Sequence, residues 1–166
     1  MTINFADGST IASATGLGQN AGDILQTTSI SRLTSDHSTS SNGSYSDTGL
    51  SASITPSATS SKVIIHAVLD LEGVGDRDRR LMSSIHYGAV QSSTQLVRNT
   101  GGTYRAGDDN SMSLVSHTYW YLHSPSSTSS LTYRVGLMSL DGSTVKLLGA
   151  SGTDTRTYMY LQEVKG

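Results

Sequence analysis

The run from Asp47 to Glu72, DTGLSASITPSATSSKVIIHAVLDLE, constrains the chain most, because it spells a strand, a turn and a second strand in succession. In the second strand Val63, Ile65, Ala67, Leu69 and Leu71 alternate with Lys62, Ile64, His66, Val68 and Asp70. A period of two with one wholly apolar set means a strand with a core side and a mixed side. Pro56 cannot donate to a ladder, and the Ser and Thr residues around it can bond their own backbone, so Pro56 to Ser61 turns the chain. Further strands are expected at 24–33, 45–55, 81–91, 94–99, 112–123, 131–140, 144–148 and 157–164. Between them stand Asn42-Gly43, Gly101-Gly102, the loop from Gly107 to Asn110, Ser124-Pro125 and Asp141-Gly142, all of which punctuate strands. Leu131, Tyr133, Val135 and Leu137 repeat the core-facing alternation. So many short strands predict an all-β, antiparallel β-sandwich, with a jelly roll the best fit among sandwiches.

Composition agrees and narrows the function. At 166 residues the chain fits one compact domain with an appendage. About three residues in ten are Ser or Thr and 17 are Gly, a balance suited to short strands and many turns. Only 35% of residues are hydrophobic, so a lone subunit has a thin core and gains by burying a further face against copies of itself. A formal net charge of −2 offers no basic face for phosphates, which disfavours nucleic acid as a partner. The absence of cysteine removes disulfides, thiolate metal sites and thiol catalysis. No apolar stretch approaches the ~20 residues of a membrane helix, and the N-terminus lacks a signal-peptide pattern. A soluble chain, not secreted by that route, is expected.

The division expected is an N-terminal arm at 1–20 followed by a sandwich domain at 21–166. In MTINFADGSTIASATGLGQN, Ile3, Phe5 and Ile11 stand among small and polar residues and cannot bury much alone. Such a segment is either a disordered tail or an extended arm that orders against a partner.

The phrase TGLSASITPSATSSKVII resembles a recurrent sequence of small bacteriophage virion proteins and phage fibre C-terminal modules. GDILQTTSIS at Gly22 to Ser31 resembles that family's opening strand. YLHSPSSTSSLTYRVGL at Tyr121 to Leu137 and the closing MYLQEVKG resemble two further segments in the same order. The pattern departs at His123, where an acidic residue is usual, and at the insert GVGDRDRR from Gly73 to Arg80. The resemblance implies a virion protein made in the bacterial host cytoplasm. It also implies a homotrimer, and an arm that docks on other virion structural proteins through Ile3, Phe5 and Ile11. A short tail fibre or spike that contacts a host surface glycan or protein is the role expected. A capsid or tail decoration (cement) protein is the alternative.

The residues offer little chemistry. His37, His66, His86, His117 and His123 never stand at the close spacings that metal sites favour, so no metal and no cofactor is expected. His117, Tyr119, Tyr121 and His123 share one strand face, as either a ligand or inter-subunit stripe or polar rings over a half-buried face. Trp120 alternates with them and is expected to face the core with Leu122. The acidic residues around Asp76 and Asp78 lack the calcium-loop order and lie beside Arg77, Arg79 and Arg80, as in a solvated ion-pair loop. Nothing fixes two carboxylates across a sugar, which leaves a small polysaccharide hydrolase as a third and weaker reading. There is no G-x-S-x-G elbow and no phosphate-cradling loop, so no enzyme is expected. Binding residues sit on loops held by a rigid scaffold, which singles out Arg77, Arg79, Tyr104 and Arg105 as candidate receptor contacts.

Overall fold

The computed structural model describes residues 3–4, 10–11, 20–74, 79–91, 94–103, 114–149 and 157–166. Along the chain run Ile3–Asn4 (β1), Thr10–Ile11 (β2), Ile24–Thr27 (β3), Ser31–Arg32 (β4), His37–Thr39 (β5), Ser46–Ile54 (β6) and Lys62–Gly73 (β7). They are followed by Arg79–Tyr87 (β8), Thr94–Thr103 (β9), Leu114–His123 (β10), Leu131–Ser139 (β11), Val145–Leu147 (β12) and Tyr158–Val164 (β13). No helix among the described residues is long and apolar enough to cross a membrane.

Two antiparallel sheets carry the fold. In the first, β3 and β4 pair with β13 and β5 pairs with β12; β12 and β13 lie end to end along one edge of β7, and β10 takes the other. The second sheet runs β6-β11-β8-β9. Taking β3 to β5 as one interrupted strand and β12 with β13 as another, the pairs nest: first with last, β6 with β11, β7 with β10, β8 with β9. That nest of antiparallel pairs, folded so that the chain passes between two sheets, is the jelly roll. The all-β antiparallel sandwich expected from alternation is what the chain forms.

The core sits where the alternation of β7 points. Val63, Ile65, Ala67, Leu69 and Leu71 are fully buried, in one cluster with Leu81, Ile85, Leu131, Tyr133, Val135 and Leu137 of the opposite sheet. Each large side chain buried in this way contributes about 1.5–3 kcal/mol. Local polar devices fix the strand ends. Between the pairs Ser51↔Arg134 and Asp47↔Gly136, β6 bulges out against β11. Gly49 adopts φ +81° there, a conformation that glycine reaches without strain. Asp47 Oδ1 accepts the Gly49 N–H at 2.9 Å, and Thr48 Oγ1 donates to the Val135 carbonyl at 2.9 Å. The turn at Pro56 is pinned from the far end of the chain. Glu163 Oε1 accepts both the N–H and the hydroxyl of Ser57 at 2.6 Å, and its Oε2 accepts Gln26 Nε2 at 2.6 Å. Burial raises the pKa of Glu163, but the hydrogen bonds donated by Ser57 and Gln26 outweigh it and hold the carboxyl down at about 2.

Several boundaries differ from the sequence reading. The strand expected at 24–33 is two short pieces, β3 and β4, and β5 was not foreseen. The strand expected at 81–91 starts earlier and stops at Tyr87, since Gly88 takes φ +91° and turns the chain.

Candidate functional site

Register decides which side chains of β10 face inward. His117 pairs with Leu69 and Tyr119 with Ala67, both on the core side of β7, so these two rings enter the interior. There they meet Ser83 of β8, whose Oγ lies 2.6 Å from His117 Nδ1 and 2.7 Å from the Tyr119 hydroxyl. The Tyr119 hydroxyl donates to the Ser83 carbonyl at 2.8 Å. Burial lowers the pKa of His117 and pushes the Tyr119 phenol up to about 12, so the network is neutral. A Ser hydroxyl so close to an imidazole has the spacing of a nucleophile and its base. Ser83 is 0% and His117 3% exposed, however, and the pair acts as a cross-sheet hydrogen bond between two layers.

Of the stripe read either as a contact surface or as polar rings over a half-buried face, His117 and Tyr119 belong to the interior of the subunit. His117 and Tyr119 are buried; Tyr121 and His123 are half-buried. His123 Nδ1 lies 2.9 Å from the Tyr133 hydroxyl, and burial lowers the pKa of this imidazole too. Trp120 and Leu122, expected in the core, face outward, 67% and 50% exposed. Trp120 pairs with His66 and Leu122 with Ile64, both on the mixed side of β7, and the register leaves them no other direction.

The loop residues are not brought together among the described residues. Arg79 opens β8 and donates Nε–H to the Val74 carbonyl at 2.9 Å, while Arg77, Tyr104 and Arg105 lie outside the described residues. In the arm, Ile3 stands opposite Ile11 in the short β1–β2 ladder, and Phe5 lies outside the described residues. No three His, Asp or Glu side chains gather as metal ligands among the described residues.

The sequence reading missed the outer face of the first sheet. His66 stands at its centre, 4.8 Å from the ring of Tyr160, 6.1 Å from Tyr158 and 5.5 Å from Trp120, which meets it edge-on at 88°. The signal was present: Ile64, His66 and Val68 alternate on the mixed side of β7, as Tyr158 and Tyr160 do on β13.

Among the described residues, fold and faces together define a jelly roll with a buried core and an exposed outer face on the first sheet. No protein-family model and no curated protein matches the sequence. Solved structures do align with it. The Eiger TNF of S. frugiperda is 6% identical at a TM-score of 0.38, over 80% of this chain and 94% of that one. A chain of infectious bursal disease virus strain Gx is 13% identical at 0.42, over 89% of this chain and 33% of its own. The VP2 subviral particle of infectious bursal disease virus is 11% identical at 0.33, over 89% and 34%. The chain spans about a third of the length of these two viral chains. Its assignment as a jelly roll rests on the nested strand pairs.

Proposed function

We propose that the chain is a non-enzymatic structural protein of a tailed-phage particle, a short fibre or spike-type appendage that contributes to host attachment. The particle and the homotrimer come from the ordered phage-like motifs. One structural observation supports a contact role: His117, Ser83 and Tyr119 bond one another out of reach, while Trp120, Leu122 and Leu114 stand exposed on one sheet face. Such a module works through what it touches. The same open face supports the second reading, a capsid or tail decoration protein, because a broad uncharged surface suits contact with another protein.

Purified protein offered separately to permissive host cells and to isolated heads and tails distinguishes the two. Cell binding that weakens when Arg77, Tyr104 and Arg105 are replaced with Ala supports the appendage. Binding to heads or tails with no affinity for cells replaces it with the decoration protein. Deleting residues 1–18 should leave a folded sandwich that no longer joins particles, and normal incorporation of the truncated chain would move attachment into the sandwich.

A further inference from the structure

The outer face of the first sheet is a grid whose rows follow from the register. Leu122, Ile64 and Gln162 form one row, Trp120, His66 and Tyr160 the next, and Thr118, Val68 and Tyr158 a third. None of these is Lys, Arg, Asp or Glu; on the outermost strand, Arg32 of β4 stands opposite Tyr158 and adds a charge to the rim of the third row. Along β7, charge returns at Lys62 and Asp70, which stand equally far from His66. Asp70 accepts a hydrogen bond from Ser116 Oγ. An aromatic, charge-poor centre with a charged rim is the composition of a protein interface core. At about 3.4 Å per residue and about 4.8 Å between strands, four strands from Lys62 to Asp70 span roughly 19 by 27 Å. That plane of about 500 Å², before side-chain corrugation is counted, approaches the ~800 Å² per partner of a stable pair.

We infer that this face is covered by the same face of a second copy of the chain, about a two-fold axis that crosses the strands at His66. Such an axis reverses β7 of the partner over β7. Lys62 then meets the partner's Asp70, Asp70 meets the partner's Lys62, and Ile64 lies on the partner's Val68. A two-fold axis along the strands would instead stack Lys62 on the partner's Lys62, and like charges facing each other oppose association. The contact is isologous and closes on itself. It rests on this face alone and not on the particle reading; if the chain also forms trimers, it joins them in pairs.

Trp120 is the only tryptophan, so its fluorescence reports on this face. Sedimentation equilibrium across a micromolar dilution series should show species with an even number of chains that dissociate on dilution as the Trp120 emission shifts to the red. Lys62→Asp and Asp70→Lys should each raise the dissociation constant about tenfold, because each places like charges opposite one another at two symmetric positions. The double reversal should restore pairing to within about threefold of the unmodified chain. If Asp70→Lys does not fold, the exposed Lys62→Asp still decides: added salt should weaken pairing of the unmodified chain and strengthen that of the variant. A single chain at every concentration overturns the inference, as does a trimer whose Trp120 emission ignores dilution, which leaves the trimer itself standing. Indifference to both charge reversals overturns it too. Quenching of Trp120 by a host glycan without a change of mass makes the face a ligand site instead.

Discussion

The two sheets turn opposite kinds of surface outward. Behind β8 and β11 the second sheet is roofed by its own chain. Ser84 and His86 are 0% and 3% exposed, the Tyr45 ring meets His86 edge-on at 5.1 Å, and the Tyr45 hydroxyl donates to the Met82 sulfur at 2.8 Å. Val90 closes over Gly136 beside them. Among the described residues, the first sheet carries no such roof over Trp120 or Leu122, which are exposed. Alternation gives both sheets an outer side, but only the loops decide whether that side is closed from within or left for another molecule. An uncovered apolar face costs solubility, which is why large ones mark contact sites.

The widest contrast lies between neighbours on β7. Ile65→Asp puts a carboxylate into the fully buried cluster, a cost of several kcal/mol that rivals the stability of a whole domain. Ile64→Asp lies on the open face and should cost about 1 kcal/mol or less in the dilute subunit. Urea midpoints would check both. Equal losses would mean that the open face is as closed as the core.

The roofed face should resist added volume. A Cβ at Gly136 would lie 2.9 Å from Ser84 Oγ and 3.0 Å from both His86 Nε2 and Val90 Cγ1. Gly136→Ala should therefore cost about 1–3 kcal/mol through overpacking. Thr118→Ala, on the open face, should change stability by about 0.5 kcal/mol or less. A tolerated Gly136→Ala would show that the roof lifts easily and blur the distinction between the faces.

The inner half of this contrast was legible in the sequence and the outer half was not. On β7 one set of positions is purely apolar, so its direction needs no partner. On β10 both sets mix apolar and polar side chains: Trp120 and Leu122 with Ser116 and Thr118, Tyr119 and Tyr121 with His117 and His123. Alternation there gives two faces without saying which is inside. The pairing of Tyr119 with Ala67 decides it, and that pairing joins residues far apart in the chain. The Ser83 network and the roof over Gly136 were not legible for a similar reason, since the first joins separate strands and the second joins strand residues to Tyr45 and Val90 outside them. The end-to-end placement of β12 and β13 on β7 is likewise a long-range pairing that neither short strand announces.

Acid should weaken the closed parts of the subunit in two stages. His37, His86, His117 and His123 have pKa values lowered by burial, with Asp47 partly opposing this at His37 and His86. Below pH 6.5 the unfolded chain takes up protons that the folded chain refuses. The stability these groups contribute is thus fully present above pH 6.5 and is lost as pH falls toward their folded values. The slope is at most about 1.4 kcal/mol per pH unit for each proton. Glu163 adds a later loss, between its unfolded value of 4.5 and its folded value of about 2. Urea midpoints from pH 8 to 3 should fall in these two stages, with His117→Gln flattening the first and Glu163→Gln the second. A flat profile from pH 7 to 5 would show that the interior histidines accept protons in the folded state.

The smallest effect on the subunit is expected at the ring that stands out most. Tyr119 and Trp120 are adjacent in β10, yet one is 4% exposed and holds Ser83, while the other is 67% exposed and touches His66 by its edge. Tyr119→Phe leaves the Ser83 hydroxyl and the Ser83 carbonyl each short of a buried hydrogen-bond partner and should cost about 1–2 kcal/mol. Trp120→Ala removes little buried area and should shift the unfolding free energy of the dilute subunit by about 0.5 kcal/mol or less. Its effect should appear instead at high concentration, where the unmodified chain gains stability by pairing and the variant does not. A melting temperature that rises with concentration in the unmodified chain but stays level in Trp120→Ala would place the value of this side chain between molecules. If Trp120→Ala melts early even when dilute, the ring supports its own sheet, and the two outer faces differ less than their exposure implies.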